Sequence, residues 1–272
     1  MSIVVVGGSG LVGAKLVNEL HRRGHEVAAV SRRSGVDTLT GAGLERALAG
    51  AQVVIDVTNS PSLNGTAALE FFRTSSRNLS NAEILANVKH HIVLSIVGTD
   101  RLQDSPYFRA KMIQEDMAQT SLIPHTILRS TQFFDFLARI PEPDDVRPVI
   151  RVSPALAQPI AADEVAAALA DLAMAGPRNS TIEHAGPDLL HLDEAVRRVL
   201  QAIQDTRSVI ADPRARYFGA RLQSDSLTPD EGAIVGVTRL DDWLRQLSPT
   251  QTGAGRRADL LSTASGSRSA LP

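Results

Sequence analysis

Ile3-Val4-Val5-Val6-Gly7-Gly8-Ser9-Gly10-Leu11-Val12-Gly13 is the stretch on which the fold turns. Its first four residues are apolar without a polar interruption, as in a parallel strand buried on both faces. A glycine-rich turn follows at once. Beyond it Leu11, Val12, Leu16, Val17 and Leu20 repeat at helical intervals and make one apolar stripe. His21, Arg22 and Arg23 set cations at the negative end of that helix, and Gly24 stands where a left-handed cap is needed. Strand, glycine turn and capped amphipathic helix are the opening of a βαβ unit.

The same alternation continues outward from it. Glu26 to Val30, Val53 to Val57, His91 to Ser95 and Thr126 to Leu128 are short apolar runs separated by stretches long enough for right-handed helical crossovers. Residues 1–140 therefore predict an α/β, Rossmann-like doubly wound parallel sheet. Pro141, Pro143, Pro148, Pro154 and Pro159 then interrupt any long regular element and read as a connection. An Ala-rich helix from Asp163 to Ala173, a strand near Thr181 to His184, a helix from Leu192 to Ile203 and the Trp243 segment follow. Residues 141–247 predict a small, mostly helical C-terminal substrate annex against the open edge of the sheet, with strands after residue 150 available to rejoin it. From Ser248 the chain is rich in Ser, Thr, Gly and Ala, and residues 248–272 are expected to form a mobile tail.

Composition narrows the function. The 272 residues include 28 basic and 30 acidic side chains, a net charge of -2, and no cysteine. A disulfide framework, a thiolate nucleophile and a Cys-ligated metal are excluded. A near-neutral balance supplies no field to gather a phosphate backbone or anionic lipid, so neither nucleic acid nor membrane is an expected partner. A small-molecule substrate is. The apolar run at the start is too short for a secretory signal, and no run approaches the roughly 20 apolar residues that cross a bilayer; the expectation is a cytoplasmic protein, monomer or homodimer. The seven histidines form no H-E-x-x-H pattern, and no metal site is assigned.

Read from Gly8 the turn is G-x-G-x-x-G, and from Gly7 it is G-x-x-G-x-x-G, with Gly10 and Gly13 shared. Either frame gives a sharp turn, a bare backbone for pyrophosphate and a helix start packed on the strand, so Gly7, Ser9, Gly10, Leu11, Val12 and Gly13 are expected to cradle a dinucleotide at the positive helix end. An acidic residue after the second strand would select NAD. Ser31-Arg32-Arg33 stands there instead, a hydroxyl and two guanidinium groups suited to the 2′-phosphate of NADP(H).

In a doubly wound sheet ligands lie beyond the carboxyl ends of the strands. Asp56, Thr58 and Asn59 follow the third strand, Ser95 ends the fourth, and Arg129, Ser130, Thr131 and Gln132 follow the fifth. Thr58 is expected at the cofactor. Downstream, Ser105 can cap a helix with Pro106 at its first position, which sets Tyr107 and Lys111 one turn apart. Such pairs are common on surfaces, but behind a glycine loop the pair has a chemical use: an ammonium near a phenol lowers the phenol pKa and fits it to protonate a carbonyl that receives hydride. Lys111 also suits the nicotinamide ribose, and Ser95 or Thr99 the carbonyl oxygen. Asp163 and Glu164 begin a helix, where acidic groups favour the positive end over acid–base work; Trp243 is expected to anchor the last amphipathic segment.

At these residues the chain resembles the short-chain dehydrogenase/reductases, in particular their atypical, NmrA-like branch. The resemblance spans Met1 to Trp243 and rests on Gly7, Gly10 and Gly13, on Ser95 with Tyr107-x-x-x-Lys111, and on Pro159-Ile160-Ala161-Ala162-Asp163-Glu164-Val165-Ala166. It implies that Arg129 to Phe134 line the nicotinamide and substrate pocket, through Thr131, Gln132, Phe133 and Phe134. Phe136 adds to its apolar character. Gly98 follows Ser95 after three residues, without the longer serine-rich turn of sugar-nucleotide epimerases. The resemblance implies an NADPH-dependent reductase of a small carbonyl, quinone or similar electrophile. A non-catalytic NADP(H)-binding redox sensor acting through protein partners is the alternative, and a nucleotide-sugar epimerase or dehydratase ranks third, because the annex is small and the serine turn abbreviated.

Overall fold

A computed structural model describes residues 1–62, 65–140 and 148–246. Pro141, Pro143 and the tail from Ser248 lie outside the described residues. The chain runs through β1 (Ile3–Val6), α1 (Leu11–Arg22), β2 (Val27–Val30), α2 (Leu44–Leu48), β3 (Val53–Asp56), α3 (Gly65–Leu85), β4 (His90–Ile96), α4 (Pro106–Thr120) and β5 (His125–Ser130). It continues with α5 (Phe134–Leu137), β6 (Val149–Val152), β7 (Leu156–Ala157), α6 (Ala162–Ala175), β8 (Ser180–Ala185), β9 (Leu190–His191) and α7 (Leu192–Ala202). Then come β10 (Ser208–Ala211), the hairpin strands β11 (Arg216–Tyr217) and β12 (Ala220–Arg221), β13 (Ile234–Val235) and α8 (Leu240–Gln246).

Seven strands form one sheet in the order β13-β8-β5-β4-β3-β1-β2. Every pairing in it is parallel, which is the doubly wound, Rossmann-like architecture read from the apolar runs. β1, β3 and β5 are buried along their whole length. β2 departs from that expectation: Ala28 and Ala29 are exposed, because β2 is the edge strand and pairs with β1 alone. The connection from β2 to β3 contains only a 3-10 turn over Arg32–Ser34 and the five-residue α2.

α1 ends as its sequence dictates. Gly24 takes a left-handed φ of +82°, and the Gly24 and His25 amides donate to the His21 and Leu20 carbonyls at 2.9 and 3.0 Å, closing a Schellman cap. Lys15 and Arg23 bind Asp163 and Asp171 of α6, so α1 and α6 lie side by side over one sheet face. Their apolar stripes, Leu16, Leu20, Val165 and Leu169 among them, share a core with Ile3 and Ile55. Glu164 is an anchor as well: its Oε1 accepts from the Val237 and Thr238 amides and the Thr238 hydroxyl.

The region after β5 is less helical than the sequence suggests. Beside α5, α7 and α8 it carries the two-stranded pairings β10–β6, β7–β9 and β11–β12, while β8 and β13 extend the main sheet. Pro148, Pro154 and Pro159 bracket segments too short for helices. Trp243 packs on Phe134 with ring centres 5.5 Å apart, in the same core as Phe72, Phe108 and Leu192. No helix among the described residues is long and apolar enough to cross a membrane.

Candidate active site

The glycine turn is built by contacts that a side chain would break. Gly7 has φ +86°, and a Cβ on Gly13 would fall 2.2 Å from the Gly7 carbonyl oxygen. These two positions give the turn and the tight seat of α1 on it. Gly10 is different. A Cβ there would meet only the Gly7 oxygen, at 3.3 Å, and the residue holds an ordinary extended conformation at the N-cap, where no side chain caps α1. The fold does not require a glycine at that place, whereas a phosphate approaching the N–H groups of Leu11, Val12 and Gly13 does. Ser9 and Gly10 are exposed, Leu11 half-buried and Val12 buried.

The ends of β1, β2 and β3 converge beside this turn. The Gly7 amide donates to the Val30 carbonyl at 2.9 Å, and the space above Gly7 is bounded by Val57 and the Thr58 amide. Ser31 caps the 3-10 turn reciprocally with Ser34, leaving the exposed Arg32 and Arg33 at the end of β2. The buried hydroxyl oxygens of Thr58 and Thr131 have no hydrogen-bond partner among the described residues. Orphaned polar atoms beyond β3 and β5, together with an open N-cap, fit a dinucleotide laid across the carboxyl ends of the strands.

α4 carries the catalytic candidates. Ser105 caps it, accepting from the Phe108 amide, with Pro106 at the first helical position. The Tyr107 hydroxyl donates to Asn59 Oδ1 at 2.8 Å, which joins α4 to the segment after β3. Burial raises the Tyr107 pKa, and the Asn59 bond opposes it. Lys111 is buried too. Its ammonium donates to the Leu94 carbonyl at 2.9 Å and to Gln114 Oε1 and lies 4.9 Å over the Phe72 ring. Burial pulls its pKa down to about 8, against the charges of Asp56 and Glu115. Gln114 passes the contact on, donating to Asp56 Oδ2 at 2.8 Å, while Asp56 Oδ1 accepts from the Thr58 amide at 2.9 Å. The expected lowering of the Tyr107 pKa by Lys111 is thus corrected: the ammonium is turned to Leu94 and Gln114, and burial prevails at the phenol.

Ser95 is also placed differently from its expected role. Strand pleating puts it with Val93 on the α4 side of the sheet, and its hydroxyl donates to Glu115 Oε1. Thr99 Oγ1 donates to the Ile96 carbonyl at 2.7 Å. Neither hydroxyl meets Tyr107. Glu115 is instead the centre of a buried ion cluster, receiving Arg129 Nε and Nη2 at 3.0 and 2.7 Å, while Arg129 Nη1 reaches Asp100 at 2.8 Å. Removing one member strands a buried charge, so Arg129→Met is expected to cost about 3–5 kcal/mol. The double variant with Glu115→Leu, which removes both charges, should cost less. Urea unfolding of the two variants checks this; a double variant at least as unstable as Arg129→Met alone would contradict it.

Beyond β5 the four expected pocket residues separate. Phe134 is 1% exposed beneath Trp243 and belongs to the core, with no face left for a substrate. Phe133 bridges to Ile160 and packs toward α6. Thr131 and Gln132 are buried after the strand end, and Gln132 lies against Tyr217. The aromatic wall around Tyr107 keeps Phe136, which stacks on Phe218, and otherwise comes from Phe72 and Phe218, outside the expected set. Asn59 is singled out in the sequence by its place after the third strand, though not as the partner of Tyr107; Phe218, in a hairpin far along the chain, has no assigned role and gives no local signal.

Residues 3–76 match the family model described as the NAD dependent epimerase/dehydratase family. No curated protein matches the chain by sequence. Among solved structures, MoeE5 in complex with UDP-glucuronic acid and NAD superposes with a TM-score of 0.64 at 19% identity, over 90% of this chain and 97% of that one. The UDP-glucose 4-epimerase of Thermus thermophilus, complexed with NAD, gives 0.63 at 16% identity over 98% and 100%. An NADPH-dependent quinone oxidoreductase of Escherichia coli gives 0.60 at 16% over 90% and 99%. Residues 3–76 thus match the model of the NAD dependent epimerase/dehydratase family, and the chain as a whole shares the Rossmann-like fold of these NAD(P)-dependent enzymes.

Proposed function

We propose that the protein is an NADPH-dependent oxidoreductase of the NmrA-like branch that reduces a small carbonyl, quinone or similar electrophile, as a cytoplasmic enzyme whose partner is that small molecule. The observation that carries the reading is the Tyr107 hydroxyl, held on Asn59 beyond the end of β3, where the open N-cap at Gly10 and the orphaned Thr58 hydroxyl also lie. When bound, the cofactor supplies hydride to the substrate carbon. Tyr107 gives its proton to the substrate oxygen, and burial keeps the phenol protonated until that oxygen becomes basic. Lys111 holds the nicotinamide ribose by exchanging its Gln114 contact for the ribose hydroxyls. The Leu11 to Gly13 amides face the pyrophosphate, and Arg32 and Arg33 the 2′-phosphate.

Each charge-assisted phosphate contact is worth about 1.5–3 kcal/mol. Native protein is expected to bind NADPH more tightly than NADH, and alanine at both Arg32 and Arg33 to erase most of the difference while leaving NADH affinity nearly intact. Equal affinities for the two cofactors in the native protein would overturn the NADP assignment. A second reading, a NADP(H)-binding sensor without turnover, is favoured by one observation: Tyr107 is only 4% exposed and is covered by the Phe218 ring.

A further inference from the structure

β11 and β12 form a tight hairpin in which Tyr217 pairs with Ala220 across Phe218 and Gly219. Both loop residues have positive φ, +48° and +88°, the signature of a type I′ turn. The first loop position of such a turn favours asparagine, aspartate or glycine, and a bulky side chain there is strained. Turn chemistry does not account for Phe218. Its ring contacts do. The ring lies near-parallel to Tyr107 (centres 5.2 Å apart, planes at 24°) and to Phe136 (5.8 Å, 14°), and Tyr217 meets it edge-on at 4.7 Å. The hairpin tip is held by two hydrogen bonds, from Ser105 Oγ to the Phe218 carbonyl at 2.6 Å and from Arg216 Nη1 to the Gly219 carbonyl at 2.7 Å. The residue that caps α4, and so sets the position of Tyr107, also ties down the ring that covers it. A strained residue stacked on the proposed proton donor is where a functional constraint is to be sought.

We propose that the site takes a planar aromatic substrate, whose ring stacks on Tyr107 in the place that Phe218 holds in this structure. The inference rests on the reading of the Tyr107 crevice as the substrate site. A flat ring inherits the offset-stacked contacts that Phe218 makes, whereas a saturated ring of the same size lacks the flat π-face they require. Swinging the tip away breaks the Ser105 and Arg216 bonds and frees Phe218 from its left-handed backbone. Phe218 therefore lowers the apparent affinity for the substrate by the fraction of molecules in which it fills the place.

Phe218→Asn removes the ring and installs a residue that the turn prefers, so the hairpin is kept; Phe218→Gly, equally suited to the turn, is the second variant. With each protein saturated with NADP⁺, which delivers no hydride, the affinities for 1,4-naphthoquinone and for cyclohexane-1,4-dione are measured by titration calorimetry. The variants are expected to bind the naphthoquinone about tenfold more tightly than the native protein, and more tightly than they bind the dione. Naphthoquinone affinity that is unchanged or weaker in the variants, or variants that bind the two ligands equally well, overturns the proposal. Failure of NADP⁺ to bind overturns the cofactor reading instead, and the same two titrations without NADP⁺ then decide the ring proposal by the same criterion.

Discussion

Tyr107→Phe is expected to lower NADPH-dependent turnover by about a hundredfold to ten-thousandfold, the range for loss of a general acid. The substitution keeps the ring that stacks on Phe218 and meets Phe72 and Phe108 edge-on. It removes the hydroxyl and its bond to Asn59, and Asn59 is exposed and returns to water. Stability should fall by about 0.5–1.5 kcal/mol, the net worth of one hydrogen bond. Cofactor affinity should barely move. A fall in turnover without a fall in NADPH binding assigns the effect to proton transfer. The measurement is NADPH oxidation with a carbonyl and quinone panel, followed by the loss of the absorbance of the reduced nicotinamide. Turnover that survives the substitution undiminished would remove Tyr107 from the reaction, and Ser95 and Thr99, whose hydroxyls are engaged by Glu115 and the Ile96 carbonyl, offer no ready replacement.

Gly10→Val is expected to abolish dinucleotide binding in a protein that still folds. The extended backbone at Gly10 suits a β-branched residue, and the sole close neighbour of its Cβ is the Gly7 oxygen at 3.3 Å. The added methyl groups stand in front of the α1 N-terminus, where the pyrophosphate must come. Gly13→Ala makes the opposite case: its Cβ would lie 2.2 Å from the Gly7 oxygen, so the turn itself must shift. Circular dichroism should report a native-like Gly10→Val protein, and calorimetry no NADPH binding to it. Retained micromolar affinity would reduce the loop to a structural turn.

The parts of the molecule legible in the sequence are those whose cause is local. β1, the glycine turn and α1 follow from apolar runs, spacing and caps within about twenty residues of one another. The capped start of α4 follows from Ser105 and Pro106 for the same reason. The orientation of Ser95 was within reach, since the pleat opposes it to Leu94 and Ile96, but its partner Glu115 stands on another element. The direction of Lys111 depends on Leu94, Gln114 and Phe72 together, and the exposure of β2 on a missing outer neighbour. Phe218 reaches Tyr107 from more than a hundred residues along the chain, through a turn for which phenylalanine is a poor choice. Contacts of that kind are set by topology, which a periodic pattern does not carry.

The proposed reaction requires a dinucleotide seated between the glycine turn and Tyr107. Calorimetric titration of the native protein with NADPH, repeated with NADH, tests it most directly. The predicted result is saturable binding of one NADPH per chain, tighter than that of NADH; the absence of binding by either would contradict it.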